Sequence, residues 1–248
     1  MFPLPYPGPF GLILYLLFVL DLTLLSGGLL WGPLQADGTG RLPRPLRMLL
    51  SCILALAAGL QWRLAPGLGG YAGWVFLGMA LGLLGDLIMA ELIPVPNRLI
   101  FGMLTFGLGH VAYIVALARA TTVLEAWSTA RHLSIGAMMA TLAVLIWRTL
   151  VRQPGGDRLL NRAALGYSLL MASMDSLAIA LALRDARFVP LACGAVLFLA
   201  SDTVLGNWNI RGHLWKRVND VVWITYNLGQ MLIVYSVAAL VNTLTAGS

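Results

Sequence analysis

The sequence predicts an all-α fold, a polytopic transmembrane bundle of about eight helices. Hydrophobic residues make up 59% of the 248 and charged residues only 10%. Apolar stretches of about 20 residues, the length that crosses a hydrocarbon core of about 30 Å, recur along the whole chain. The basic residues collect between these stretches or at their ends. An ordinary soluble domain carries about a quarter charged residues, so this chain cannot build the surface a water-soluble fold needs.

The spans fall near residues 10–30, 46–62, 71–93, 99–118, 133–150, 163–183, 188–208 and 218–240. The first has no basic residue before it and no clear small-residue cleavage site after it, which reads as a retained helix or an uncleaved signal rather than a removed one. The connections at 32–45, 93–98 and 153–162 hold the Pro, Gly and Arg residues expected between helices. No stretch is left over for a soluble domain, so residues 1–248 read as one integral membrane domain. Cys52 and Cys193 each sit inside an apolar helix, where a free thiol is expected to behave as a small buried hydrophobe. Two such residues make neither a disulfide framework nor a metal motif.

The net charge of +6 does not call for nucleic acid. Taking alternate connections together, eleven Lys and Arg residues fall on one side (Arg41, Arg44, Arg47, Arg98, Arg148, Arg152, Arg158, Arg162, Arg211, Lys216 and Arg217). Five fall on the other (Arg63, Arg119, Arg131, Arg184 and Arg187). Positive charge favours the cytoplasmic side. The expected placement is therefore a bacterial cytoplasmic membrane, with both termini outside.

Asp21, Asp86, Asp175 and Asp202 fall inside spans. Ionisable groups there are costly and mark function or interhelical hydrogen bonding. Counted from the predicted ends, Asp86 lies about 10 Å in, Asp202 about 9 Å, Tyr226 about 12 Å and His110 about 17 Å, all from the same side. Asn227 adjoins Tyr226, and Gln230 lies one turn deeper. The third, fourth, seventh and eighth spans thus contribute a polar layer just inside the basic boundary, a depth suited to chemistry near a lipid headgroup. Asp175 lies about 18 Å from that boundary, and Asp21 stands alone on the first span.

Helical periodicity agrees with this layer. Gly78, Gly82 and Asp86 share one stripe, as do Gly102, Phe106 and His110 with Tyr113 a turn on, and Gly194, Phe198 and Asp202; Tyr226 and Gln230 share a face. Glycines in such stripes let a neighbouring helix approach closely.

Leu84-Gly85-Asp86, then Gly102, Phe106, His110 and Tyr113, Ser201-Asp202, and finally Tyr226 with Gln230 give the chain its resemblance to the YhhN, or lysoplasmalogenase, family of multi-pass membrane proteins. The resemblance runs from Gly78 to about Leu240. The first, second and fifth spans show no matching motif, and Asp21 and Asp175 have no counterpart. The resemblance implies an eight-helix enzyme that cleaves the vinyl ether bond of lysoplasmalogens to a fatty aldehyde and a glycerophospho-base. Asp86 and Asp202 match the family's paired aspartates, and a lysophospholipid in the membrane is the implied substrate.

Two carboxyl groups suit that chemistry. Protonating the β carbon of a vinyl ether leaves an oxocarbenium ion, to which water adds; one neutral acid and one anion are enough. The expected catalytic pair is Asp86 and Asp202, with no cofactor. His110, Tyr113, Ser201, Tyr226, Asn227 and Gln230 are expected around it, holding water or headgroup oxygens. Each also has a purely structural reading as an interhelical hydrogen-bonding residue. A zinc hydrolase fits less well, because His132 and His213 fall in or beside loops and leave His110 as the one histidine in a span. A small-molecule or proton-coupled transporter fits intramembrane acids equally well, although the halves show no evident repeat and no Pro interrupts a span. A scaffold protein has no need of so many buried acids.

Overall fold

Local signals set where the helices begin and end. In the computed structural model, which describes residues 4–6, 8–65 and 70–246, α1 spans Pro9–Trp31, α2 Arg44–Leu64, α3 Tyr71–Met89 and α4 Arg98–Val123. These are followed by α5 at Thr129–Ile146, which runs on into a π-helical turn at Trp147–Val151, and α6 at Arg158–Arg184. A short 3₁₀ turn, Ala186–Phe188, leads into α7 at Val189–Asn209, and α8 at Val218–Val234 is continued by α9 at Ser236–Ala246. Proline in the first turn starts α1, α2 and α7, where its missing N–H costs nothing. The Asn97 side chain accepts from the Leu99 and Ile100 amides, and Asp157 from those of Leu159 and Leu160, capping α4 and α6.

Among the described residues, eight helical segments are long and apolar enough to cross a membrane, α8 and α9 together making the eighth. The all-α bundle is as expected, with corrections at the ends. The third span closes at Met89 rather than near 93. Glu91 takes φ 60° while the Leu92 amide donates to the Leu87 carbonyl and the Glu91 amide to that of Ile88, a left-handed C-terminal cap. Asp86 therefore stands three residues, about 4.5 Å of rise, from the end of its helix, shallower than the sequence suggested. The same cap at Glu125 ends α4.

α3 packs most extensively on α4, and α7 on α8. At α7–α8 the backbones touch: a Cβ on Gly194 would lie 2.8 Å from the Gly229 carbonyl oxygen and 2.8 Å from Leu232 Cβ, and one on Gly229 2.8 Å from the Gly194 carbonyl oxygen. The core is built from side chains such as Leu50, Tyr71, Leu117, Phe188 and Phe198, while Leu16, Leu104 and Leu142 are exposed, the surface a lipid tail covers. Cys52 and Cys193 lie on that surface as free thiols, not in the core as expected. On α2 the inward stripe is Ser51, Leu54, Ala58 and Gln61, and Cys52 falls outside it, beside exposed Leu56.

Gly194→Leu is expected to lower stability by about 1–3 kcal/mol, because neither neighbouring backbone can give way. Gly136→Leu on α5, where a Cβ meets nothing within 4 Å, is expected to leave the unfolding midpoint in detergent unchanged.

Candidate active site

At the basic end of the bundle a cavity of about 580 Å³ opens among α2, α3, α7, α8 and the 32–43 loop. Its lining includes Asp86, Asp202, Ser201, Phe106 and Tyr226, with Asp37, Arg44, Arg47 and Arg98 nearer the rim.

The two acids are held in the same manner. Asp86 is 5% exposed, and its Oδ2 accepts from Ser51 Oγ at 2.5 Å and from the Tyr226 hydroxyl at 2.8 Å. The Asp202 side chain is 12% exposed, and its Oδ2 accepts a short hydrogen bond from the Tyr167 hydroxyl. Neither Oδ1 has a protein partner among the described residues, and neither is sealed from the cavity. Both residues line this one space. Each acid thus spends one oxygen on a tyrosine and presents the other to the chamber.

Behind Asp86, the Tyr226 ring sits among Trp223, Phe198 and Phe106, with centroids at 5.3, 5.2 and 6.1 Å. Gln230 Nε2 donates to the Tyr226 oxygen at 3.4 Å, and the Tyr113 hydroxyl donates to Gln230 Oε1 at 2.6 Å. The glycine stripe of α3 makes room for this. A Cβ on Gly82 would come within 2.9 Å of Gln230 Nε2, one on Gly85 within 2.8 Å of the Phe106 ring, and one on Gly78 would strike the Tyr113 ring.

Behind Asp202, His110 Nε2 is 3.3 Å from the Tyr167 oxygen and 4.0 Å from Asp202 Oδ2, while its Nδ1 is 3.3 Å from the Met174 sulfur. The Tyr167 hydroxyl, which donates to Asp202, is thus also in contact with His110. On its α4–α6 side Asp202 borders a second, apolar space of about 50 Å³ walled by Met89, Met103, Phe106 and Met171.

At the rim, Arg44 donates to the Ala90 carbonyl at 2.9 Å and Arg98 pairs with Glu91. Arg47 is different. Its guanidinium carbon lies 5.7 Å above the Trp223 ring, its one side-chain hydrogen bond among the described residues is a 3.4 Å contact to Asn219 Oδ1, and its Nε is buried without a partner among them. It forms no ion pair among the described residues. The Thr39 amide and hydroxyl donate to Asp37 Oδ1 and hold that carboxyl below the usual range.

Of the residues singled out from sequence, Asp86, Asp202, Ser201 and Tyr226 face the chamber, while His110, Gln230 and Tyr113 stand behind it. The Ser201 hydroxyl also donates to the Val222 carbonyl at 3.1 Å, tying α7 to α8. Asn227 is not part of the site. One residue round the helix from Tyr226, it donates to Asp21 Oδ2 at 2.5 Å. Ser51, Tyr167 and Arg47 were not foreseen: two are lone polar residues on helices without a family motif or matching stripe, and the third is one of sixteen basic residues. Among the described residues no three His, Cys, Asp or Glu side chains cluster as a metal site.

The YhhN family model matches residues 42–237, which covers Asp86, Asp202 and the side chains that hold them, while Asp37 and Thr39 at the rim precede it. The chain belongs to the YhhN family. Comparison with curated proteins and with solved structures found no match. Family membership thus rests on the segment that holds α2–α8, and α1 lies outside it.

Gln230→Leu removes the acceptor of the buried Tyr113 hydroxyl and is expected to cost about 1–3 kcal/mol, read as a lower unfolding midpoint in detergent. Combined with Tyr113→Phe, the loss should fall short of the sum of the two single losses, the sign of a direct interaction.

Proposed function

We propose that this YhhN-family protein is a membrane-embedded hydrolase that cleaves the vinyl ether bond of a lysoplasmalogen. The observation that carries the reading is the pair of tyrosine-anchored carboxyls, each with a free oxygen turned toward one chamber between an apolar space and a basic rim. A lysophospholipid laid across it would place its phosphate at the guanidinium of Arg47, which forms no ion pair among the described residues, and its alkenyl chain toward the methionine-lined space.

That orientation distributes the chemistry. The β carbon of the vinyl ether lies on the chain side, next to Asp202, and the ether-bearing α carbon lies toward Asp86. Asp202 donates its Oδ1 proton to the β carbon, forming a C–H bond and leaving an oxocarbenium ion at the α carbon. Asp86, acting as the carboxylate of the pair and held by the Ser51 and Tyr226 hydroxyls, stabilises that cation and takes a proton from the attacking water, giving a hemiacetal. As the hemiacetal collapses, its hydroxyl proton passes to Asp202 and the Asp86 proton goes to the departing glycerol oxygen. Aldehyde and glycerophospho-base leave, and both acids are back in their starting states. Tyr167, fixed by His110, holds Asp202 throughout. The excess of basic residues at this end orients the chamber toward the cytoplasm, in a bacterial inner membrane.

Asp86→Asn and Asp202→Asn are each expected to insert normally and to lose at least about 100-fold in aldehyde release, the range a positioned acid or base contributes. Lysophospholipids with an ester or a saturated ether chain should yield no aldehyde. Full activity in both variants, or uptake of intact lipid into sealed liposomes without hydrolysis, would overturn the proposal in favour of a carrier. Arg47→Gln is expected to raise KM about tenfold, the effect of one lost charge-assisted bond, and to leave kcat nearly unaltered.

A further inference from the structure

Beyond the methionine-lined space lies a third cavity, a groove of about 560 Å³ on the lipid-facing surface between α4 and α6. It shares Leu99, Met103 and Tyr167 with the inner space, which in turn shares Asp202, Phe106, Met89 and Leu205 with the chamber. Groove, throat and chamber therefore form one row. Tyr167 stands at the first junction and Asp202 at the second, joined by their hydrogen bond.

We infer that this row is a lateral passage, through which a single-chain lipid reaches the chamber from within the bilayer and in which its hydrocarbon chain stays while the head is processed. The inference rests on the proposed reading of the site and names the route and seat of its substrate.

The groove has the polarity of a single-chain lipid. It starts at the polar caps Asn97 and Asp157 and runs past Leu104 and Leu108 to Val111 and Leu170, about 20 Å along α4 from the start of that helix. Two glycines keep it open. Gly107 and Gly166 both line it, and a Cβ on Gly166 would meet nothing within 4 Å. Groove and chamber are each of a size that holds an organic ligand.

The throat between them, at about 50 Å³, is too narrow for a chain as it stands. Its wall, however, includes Met89, Met103 and Met171, and unbranched thioethers with three rotatable bonds swing aside more readily than branched side chains. A route through the polar mouth would draw the whole chain through water at a cost for every methylene. The sideways route keeps the chain in an apolar medium throughout.

The test uses full-length protein in liposomes containing a lysophosphatidylcholine with a photoreactive diazirine in its chain. Labelling is expected on peptides of α4 and α6 that contain Leu104 and Leu170. It should fall at least fivefold in Gly166→Trp, which fills the groove, and persist in Leu145→Trp, which adds the same bulk on the exposed face of α5. The Gly166→Trp loss in kcat/KM should be at least tenfold greater for a long-chain vinyl ether than for a water-soluble short-chain one. Label concentrated elsewhere, or undiminished in Gly166→Trp, would overturn the passage. Wild-type protein that labels as expected but releases no aldehyde from a lysoplasmalogen would support the passage and overturn the hydrolase, so the two failures are distinguishable.

Discussion

Inside a bilayer no water is at hand to complete a hydrogen bond, so each polar group in a span must find its partner in the protein or face a cavity. The site follows from that constraint. Asp86 draws a hydroxyl from α2 and another from α8; Asp202 draws one from α6, whose tyrosine is in turn fixed from α4. The need to satisfy two carboxyls thus recruits four helices besides their own to one end of the bundle or its rear wall. The glycines of α3 are part of the same solution, since Gly78, Gly82 and Gly85 make space for Tyr113, Gln230 and Phe106.

The constraint also separates the four intramembrane acids. Asp86 and Asp202 each keep an oxygen that no side chain claims but that a cavity reaches. Asp21 Oδ1 and Asp175 Oδ2 are also unclaimed, yet both are buried, and neither residue lines any of the three cavities described above. Asp21 instead ties α1 to α8 through its other oxygen, which accepts from Asn227.

Much of this was legible in the sequence because hydropathy and helical periodicity are local properties. The eight spans follow from runs of apolar residues, and Gly78, Gly82 and Asp86 fall on one stripe through spacing alone. What escaped was pairing across helices. Nothing in the apolar run around Ser51 says that its hydroxyl meets α3, and Tyr167 shares no motif with Asp202, although the two are hydrogen-bonded. Asn227 misled for the opposite reason: adjacent in sequence to Tyr226, it points about 100° away round the helix and serves another acid. The end of α3 escaped because Glu91 adopts a left-handed conformation that glycine or asparagine more often takes, so no punctuation announced it.

The early end of α3 bears directly on function. Hydrolysis of a lipid requires two reactants that avoid each other, a water molecule and an apolar chain, and the membrane offers both together only where headgroups give way to hydrocarbon. A helix running on to residue 93 would have put Asp86 a full turn deeper. Capped at Met89, it sets Asp86 about 4.5 Å from its end, in the cavity whose rim holds Arg44, Arg47 and Arg98. Asp202 lies seven residues, about 10 Å, from the end of α7 and touches the apolar throat. The two acids are therefore staggered, one toward the arginine-lined rim and one toward the apolar throat, as the proposed cleavage between a polar head and a hydrocarbon tail requires.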